Sequence, residues 1–139
     1  MMKTKRAIIF LSLWLFLCAV SVCQSTAHAE RVDLDGMNLV FVDARNSTGY
    51  YVDTNSYEFK SENEVTSRVE MVKADIDRLY LYTIRFDRAK KIYQIMNSIV
   101  AEYASKEKVG GSAAPLQEQP YASGSPLASV VDYIFNPIP

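Results

Sequence analysis

The sequence predicts a mostly β domain closed by one short C-terminal helix and carried behind an export leader. Three observations lead there. All nine tyrosines lie beyond the leader, and aromatic and β-branched side chains suit a half-buried pleated surface. Val65 to Ala74 and Leu79 to Phe86 alternate with the period of two that strands require. Ser125-Pro126 then opens a run in which Leu127, Val130, Val131 and Ile134 share one helical stripe.

The leader comes first. Lys3, Lys5 and Arg6 precede an apolar run from Ala7 to Val22, and Ala27 and Ala29 are the small residues a signal peptidase needs before a cut at Glu30. The run is near the minimum length for a spanning helix, so an uncleaved anchor is the alternative. Leu17 precedes Cys18 and Val22 precedes Cys23, so neither cysteine sits in a lipid-attachment context. The division expected is a signal peptide over residues 1–29 and a single domain over residues 30–139, delivered to the periplasm, the cell surface or the medium. No stable membrane span remains after cleavage.

The leader also holds both cysteines, the only histidine (His28) and the only tryptophan (Trp14). The domain behind it therefore has no thiol, imidazole or indole. That excludes the usual zinc and transition-metal donors, the serine triad and the cysteine nucleophile. No disulfide constrains the unfolded chain, so the core alone must stabilise it. All 16 acidic residues but only 12 basic ones lie beyond residue 29, a net charge of −4. That surface does not favour nucleic acid.

The first strands are Leu39 to Asp43 and Tyr50-Tyr51-Val52, joined across the turn cluster Ala44 to Gly49 in a hairpin pattern. Asp53 to Ser56 and Ser61 to Glu64 are further polar turns. In the next strand Val65, Val69 and Met71 share one face, with Thr66, Arg68 and Glu70 on the other. After the charged turn Asp75 to Arg78, the face of Leu79, Leu81 and Thr83 opposes that of Tyr80, Tyr82, Ile84 and Phe86. Both faces are apolar enough for a central strand covered on two sides.

Lys90 to Tyr103 reads two ways. Ile92, Ile95, Met96, Ile99, Val100 and Tyr103 recur at helical spacing. With a period of two, Tyr93, Ile95, Ile99 and Ala101 form one face, and Ile92, Met96 and Val100 the other. Periodicity alone leans towards helix. Gly110-Gly111 breaks the pattern, and Ser112 to Gly124 is a long loop, either functional or laid against the fold by Pro115, Leu116, Pro120 and Tyr121. Ser125 is a good N-cap, Pro126 suits the first helical position, and Asn136-Pro137 ends the helix. So short a helix must dock on the sheet.

Three stretches carry a resemblance: Gly49-Tyr50-Tyr51-Val52-Asp53 with Asn55-Ser56 behind it, Arg78-Leu79-Tyr80-Leu81-Tyr82-Thr83, and Gly124-Ser125-Pro126 leading into Asp132-Tyr133-Ile134. Together they resemble the surface-adhesin protein E-like family of small exported bacterial proteins, over about Leu39 to Phe135. The resemblance implies an α+β fold, a small twisted antiparallel sheet with one C-terminal helix packed on it. It also implies a strand over Tyr93 to Tyr103, and strand is the reading adopted, since Ile, Val and Tyr favour sheets. Relatives commonly carry a cysteine pair, one early in that strand and one near the end of the helix. The matching positions here are Arg88 and Phe135, so the resemblance implies a lost disulfide. It further implies adhesion to host extracellular proteins, although the lipid-attachment cysteine of the anchored members is missing.

No catalytic residue, cofactor or metal is expected. Asp33/Asp35 and Asp75/Asp77 are turn carboxylates without the other ligands of a calcium loop, and Gly110-Gly111 lacks the lysine of a phosphate loop. The function expected is a non-catalytic module that binds a host extracellular or envelope protein through an aromatic-rich sheet face or edge. Tyr50, Tyr80 and Tyr82 are the candidate partner-facing residues. The alternatives are a structural envelope protein that self-associates into a homodimer, and a carboxylate-only hydrolase.

Overall fold

The computed structural model describes residues 28–137, so the proposed leader lies almost wholly outside the described residues. Eight strands form one antiparallel sheet: β1 (Leu39–Arg45), β2 (Thr48–Asp53), β3 (Glu58–Phe59), β4 (Glu64–Lys73), β5 (Arg78–Asp87), β6 (Ile92–Ala101), β7 (Lys108–Ser112) and β8 (Gln119–Pro120). The order is β1-β2-β4-β5-β6-β7, with β3 also on β4 and β8 also on β6. One helix, α1 (Pro126–Phe135), packs chiefly on β1 and β2. The α+β architecture expected from the sequence is the one observed.

Local chemistry explains the turns. Asn46 and Ser47 both adopt left-handed φ, 52° and 59°, the geometry of a tight hairpin whose twist matches its strands. β1 therefore runs to Arg45, beyond the expected end at Asp43. Asp77 closes a 3-10 turn in the left-handed region at φ 51°, and its carboxylate accepts the Ala104 N–H at 2.8 Å. Asp33 accepts from the Asp35 N–H at 2.8 Å. These turn carboxylates are hydrogen-bond acceptors for their own backbone. Gly111 (φ 136°) lies against β6, where a Cβ would come within 2.3 Å of the Ser98 carbonyl oxygen.

β6 is a strand, and the helical periodicity of Lys90 to Tyr103 is overridden. Pairing with β5 on one edge and with β7 and β8 on the other puts both edges of a long extended segment into hydrogen bonds. The two faces expected of it need correcting. Thr83 pairs with Asn97 but Ile84 pairs with Ile95, which leaves Met96 as an extra residue. This bulge reverses the alternation. Tyr93 and Ile95 join the core under the helix, while Ile99 and Ala101 join the core on the opposite face.

The sheet is thus covered on both sides. On one face Val52, Val65, Val69, Ile84 and Phe86 pack with Val130, Val131 and Ile134 of α1. The helix is capped as its sequence demands: Ser125 Oγ accepts the Ala128 N–H at 3.2 Å and Pro126 opens the first turn. Ser129 Oγ donates to Asp43 of β1 at 2.9 Å. On the other face Leu79, Leu81 and Ala101 pack with Val32, Leu34 and Met37 of an N-terminal segment the sequence did not single out. Backbone bonds hold that segment: Val32 N–H to Lys106 O at 2.8 Å and Lys108 N–H to Glu30 O at 2.7 Å.

The long loop is laid against the fold. Leu116 N–H donates to Ile95 O at 2.9 Å, Gln119–Pro120 pairs with β6, and Arg85 holds Glu118. It covers the outer edge of β6, which would otherwise present unpaired backbone. Leu116 itself points outward, while Tyr121 packs on the helix-side core.

Candidate functional site

Cross-strand register decides where the three candidate tyrosines go. Tyr50 pairs with Met71, and Met71 with Tyr80, so the three side chains share the helix-side face. Tyr82 follows Tyr80 on the same face of β5, with their rings stacked at 6.1 Å and 7° between planes. Tyr93 of β6 joins them. Burial, then the neighbouring Tyr80, Tyr50 and Tyr93, raises the Tyr82 hydroxyl above the ordinary tyrosine value, so it stays neutral.

Each of these four tyrosines is half-buried. The helix starts beside them without closing over them, because α1 packs chiefly on β1 and β2 while three of the four tyrosines lie on β5 and β6. Between helix and tyrosines lies a groove of about 290 Å³, walled by Tyr50, Met71 and Tyr93 on the sheet and by Tyr121, Pro126 and Leu127 above it. Core packing and an exposed aromatic surface are therefore combined in the same rings. Such rigid amphipathic side chains contribute large contact area with little rotamer entropy to lose.

Tyr51, the neighbour of Tyr50, faces the other way and meets Phe41 edge-on at 5.5 Å; Phe41 is 56% exposed. Tyr57 is the start of a separate ladder. Tyr57, Phe59 and Phe135 stack edge-to-face at 6.0 and 5.8 Å, and the Arg88 guanidinium caps the last ring at 4.4 Å. Burial is the main cause, with Tyr133 and Asp53 adding to it, that pushes the Tyr57 hydroxyl up to about 12.

A polar constellation escaped the sequence reading. Asp53 is fully buried, its Oδ1 accepting the N–H groups of Asn38 at 2.9 Å and Asn55 at 3.0 Å. Its Oδ2 lies 2.8 Å from Arg68 Nη2, an ionic contact and not a well-aligned hydrogen bond. Arg68 pairs with Thr83 and Thr83 with Asn97, so one polar row crosses β2, β4, β5 and β6 on the face away from the helix. No spacing rule connects residues on four strands, and nothing local marks Asp53 as buried. Two places along, Glu70 is 6% exposed; burial raises its carboxyl above the usual range, with Lys106 pulling the other way.

Fold and surface together define a single-sheet α+β domain with a half-covered tyrosine face and a polar row on its reverse. Comparison with models of protein families, with curated proteins and with solved structures finds no match.

Proposed function

We propose that this protein is an exported, non-catalytic binding module that engages a protein partner through its tyrosine face. One observation carries the reading: Tyr50, Tyr80, Tyr82 and Tyr93, from three strands, converge beside an open groove at the start of α1. Tyrosine is enriched where protein partners bury surface, and hot spots cluster in such aromatic hollows. The likeness of the Gly49–Asp53 and Arg78–Thr83 stretches to protein E-like adhesins supports a host extracellular or envelope protein as the partner. The residues before Glu30 support export. The chemistry present supports binding over turnover: Glu64 and Glu118, two acids that do converge, are both engaged by Arg85.

Capture from extracellular-matrix and envelope extracts tests this. One protein should be enriched by the native chain and lost with Tyr80→Ala and Tyr82→Ala, at unchanged circular dichroism. Equal capture by both variants would refute it.

The structural alternative has its own support. Among the described residues β1 has no strand on its outer edge, and Phe41 stands exposed there, so a second copy could extend the sheet. The bulge between Phe41 and Asp43 works against that pairing. Sedimentation showing a monomer at all concentrations would eliminate it.

A further inference from the structure

The row on the reverse face has the build of a ligand site. Two hollows, of about 500 and 290 Å³, open on either side of Arg68 and Thr83, which line both. Together they fall in the size range of small-molecule sites. Arg68 is held from behind: both Oδ1 bonds of Asp53 come from the backbone of two different loops, so the carboxylate cannot turn and the guanidinium is set in place. Among the described residues that guanidinium has no partner besides Asp53, and the side chains of Thr66, Thr83 and Asn97 make no hydrogen bond. Donors and acceptors are thus arrayed in a hollow without internal partners.

Charge selects the ligand. Asp53 already neutralises Arg68. Of the other cations, Arg31 donates to the Ser105 carbonyl and Lys108 pairs with Glu30 at 3.5 Å. Glu58 lines one hollow and Asp33 the other. A carboxylate or phosphate would meet those acids with no uncommitted cation to offset them. A neutral ligand that both donates and accepts fits, and the adjacent, only partly buried Ile99 and Met37 suit the C–H face of a pyranose ring.

We infer that the Arg68-Thr83-Asn97 row is a binding site for a neutral saccharide of two or three rings, on the face opposite the tyrosines. Nuclear magnetic resonance reads even weak, rapidly exchanging binding. The ¹⁵N-labelled protein is titrated with maltose, cellobiose, lactose and N,N′-diacetylchitobiose, and with glucuronic acid and N-acetylneuraminic acid as acidic controls. At least one neutral disaccharide should saturably shift the amides of Arg68, Thr83 and Asn97. Asn97→Ala and Thr83→Val, neither of which removes a bond within the fold, should each weaken it about ten-fold or more. The inference is overturned if none of the four neutral sugars shifts these amides, if only the acidic sugars do, or if both variants bind like the native protein. Capture through the tyrosine face should be unchanged in Asn97→Ala, which separates the two sites.

Discussion

The Arg88 guanidinium sits 4.4 Å from the centre of the Phe135 ring, joining the β5–β6 turn to the last residue of α1. These are the two positions at which the resemblance implies a disulfide in relatives. Here the C-terminal end of the helix is held by a cation over a ring, and by Phe59 against that ring's side. Arg88→Ala should cost about 0.5–1 kcal/mol, as exposed cation–π contacts do. Phe135→Ala should cost about 2 kcal/mol or more, since it also removes apolar packing. Denaturant titration measures both. If the resemblance holds, the double variant Arg88→Cys, Phe135→Cys should form a disulfide, and its oxidised form should be about 3–4 kcal/mol more stable than its reduced form, from closing a long loop. Two free thiols under oxidising conditions would count against the resemblance.

Asp53 and Arg68 make a second testable pair. Asp53→Ala removes the acceptor for two backbone N–H groups and should destabilise by about 3 kcal/mol. Arg68→Ala should cost less, about 2 kcal/mol, because the guanidinium side is 38% exposed and water can take part of its place. A double-mutant cycle should show the two losses to be strongly non-additive.

Tyr57 gives an alkaline prediction. Its folded value, about 12, lies above the ordinary 10.0, so folding favours the neutral phenol. That contribution is complete below pH 10 and is lost as pH rises from 10 through 12. Melting temperature should fall across that window, and Tyr57→Phe should flatten the part of the fall due to this group.

Glu70 moves stability at the other end of the scale. Burial raises its carboxyl in the folded state, so the fold prefers it protonated and its unfavourable effect grows as pH rises above 4.5. Glu70→Gln should therefore raise the melting temperature at neutral pH, with the advantage vanishing below pH 4.5. An equal gain at all pH values would mean that charge is not the cause.

Gly111→Ala should loosen β7 selectively. The new methyl meets the Ser98 carbonyl, and φ 136° is strained for any L side chain. Hydrogen exchange should speed up at the amides that β6 and β7 share, while β4 and β5 stay protected.

Much of this molecule is written in short-range pattern. Ser125-Pro126 and the stripe Leu127, Val130, Val131, Ile134 specify α1 because capping and helical spacing act within ten residues. The faces of β4 and β5 follow from strict alternation, and with them the sharing of one face by Tyr80 and Tyr82. What needed the folded chain was everything that depends on register. The Met96 bulge sends Ile99 to the opposite core from Ile95, and no local signal marks a bulge. Tyr50 shares a face with Tyr80, across Met71, only because β2 and β5 flank β4. Val32, Leu34 and Met37 become core because β5 and β6 expose an apolar strip for them to cover. Asp53, read along the chain, is one more polar turn residue; in the fold it is the fully buried anchor of Arg68. Periodicity encodes which way a side chain points from its own strand, whereas its neighbours are set by pairing between strands far apart in sequence, and both proposed sites rest on that pairing.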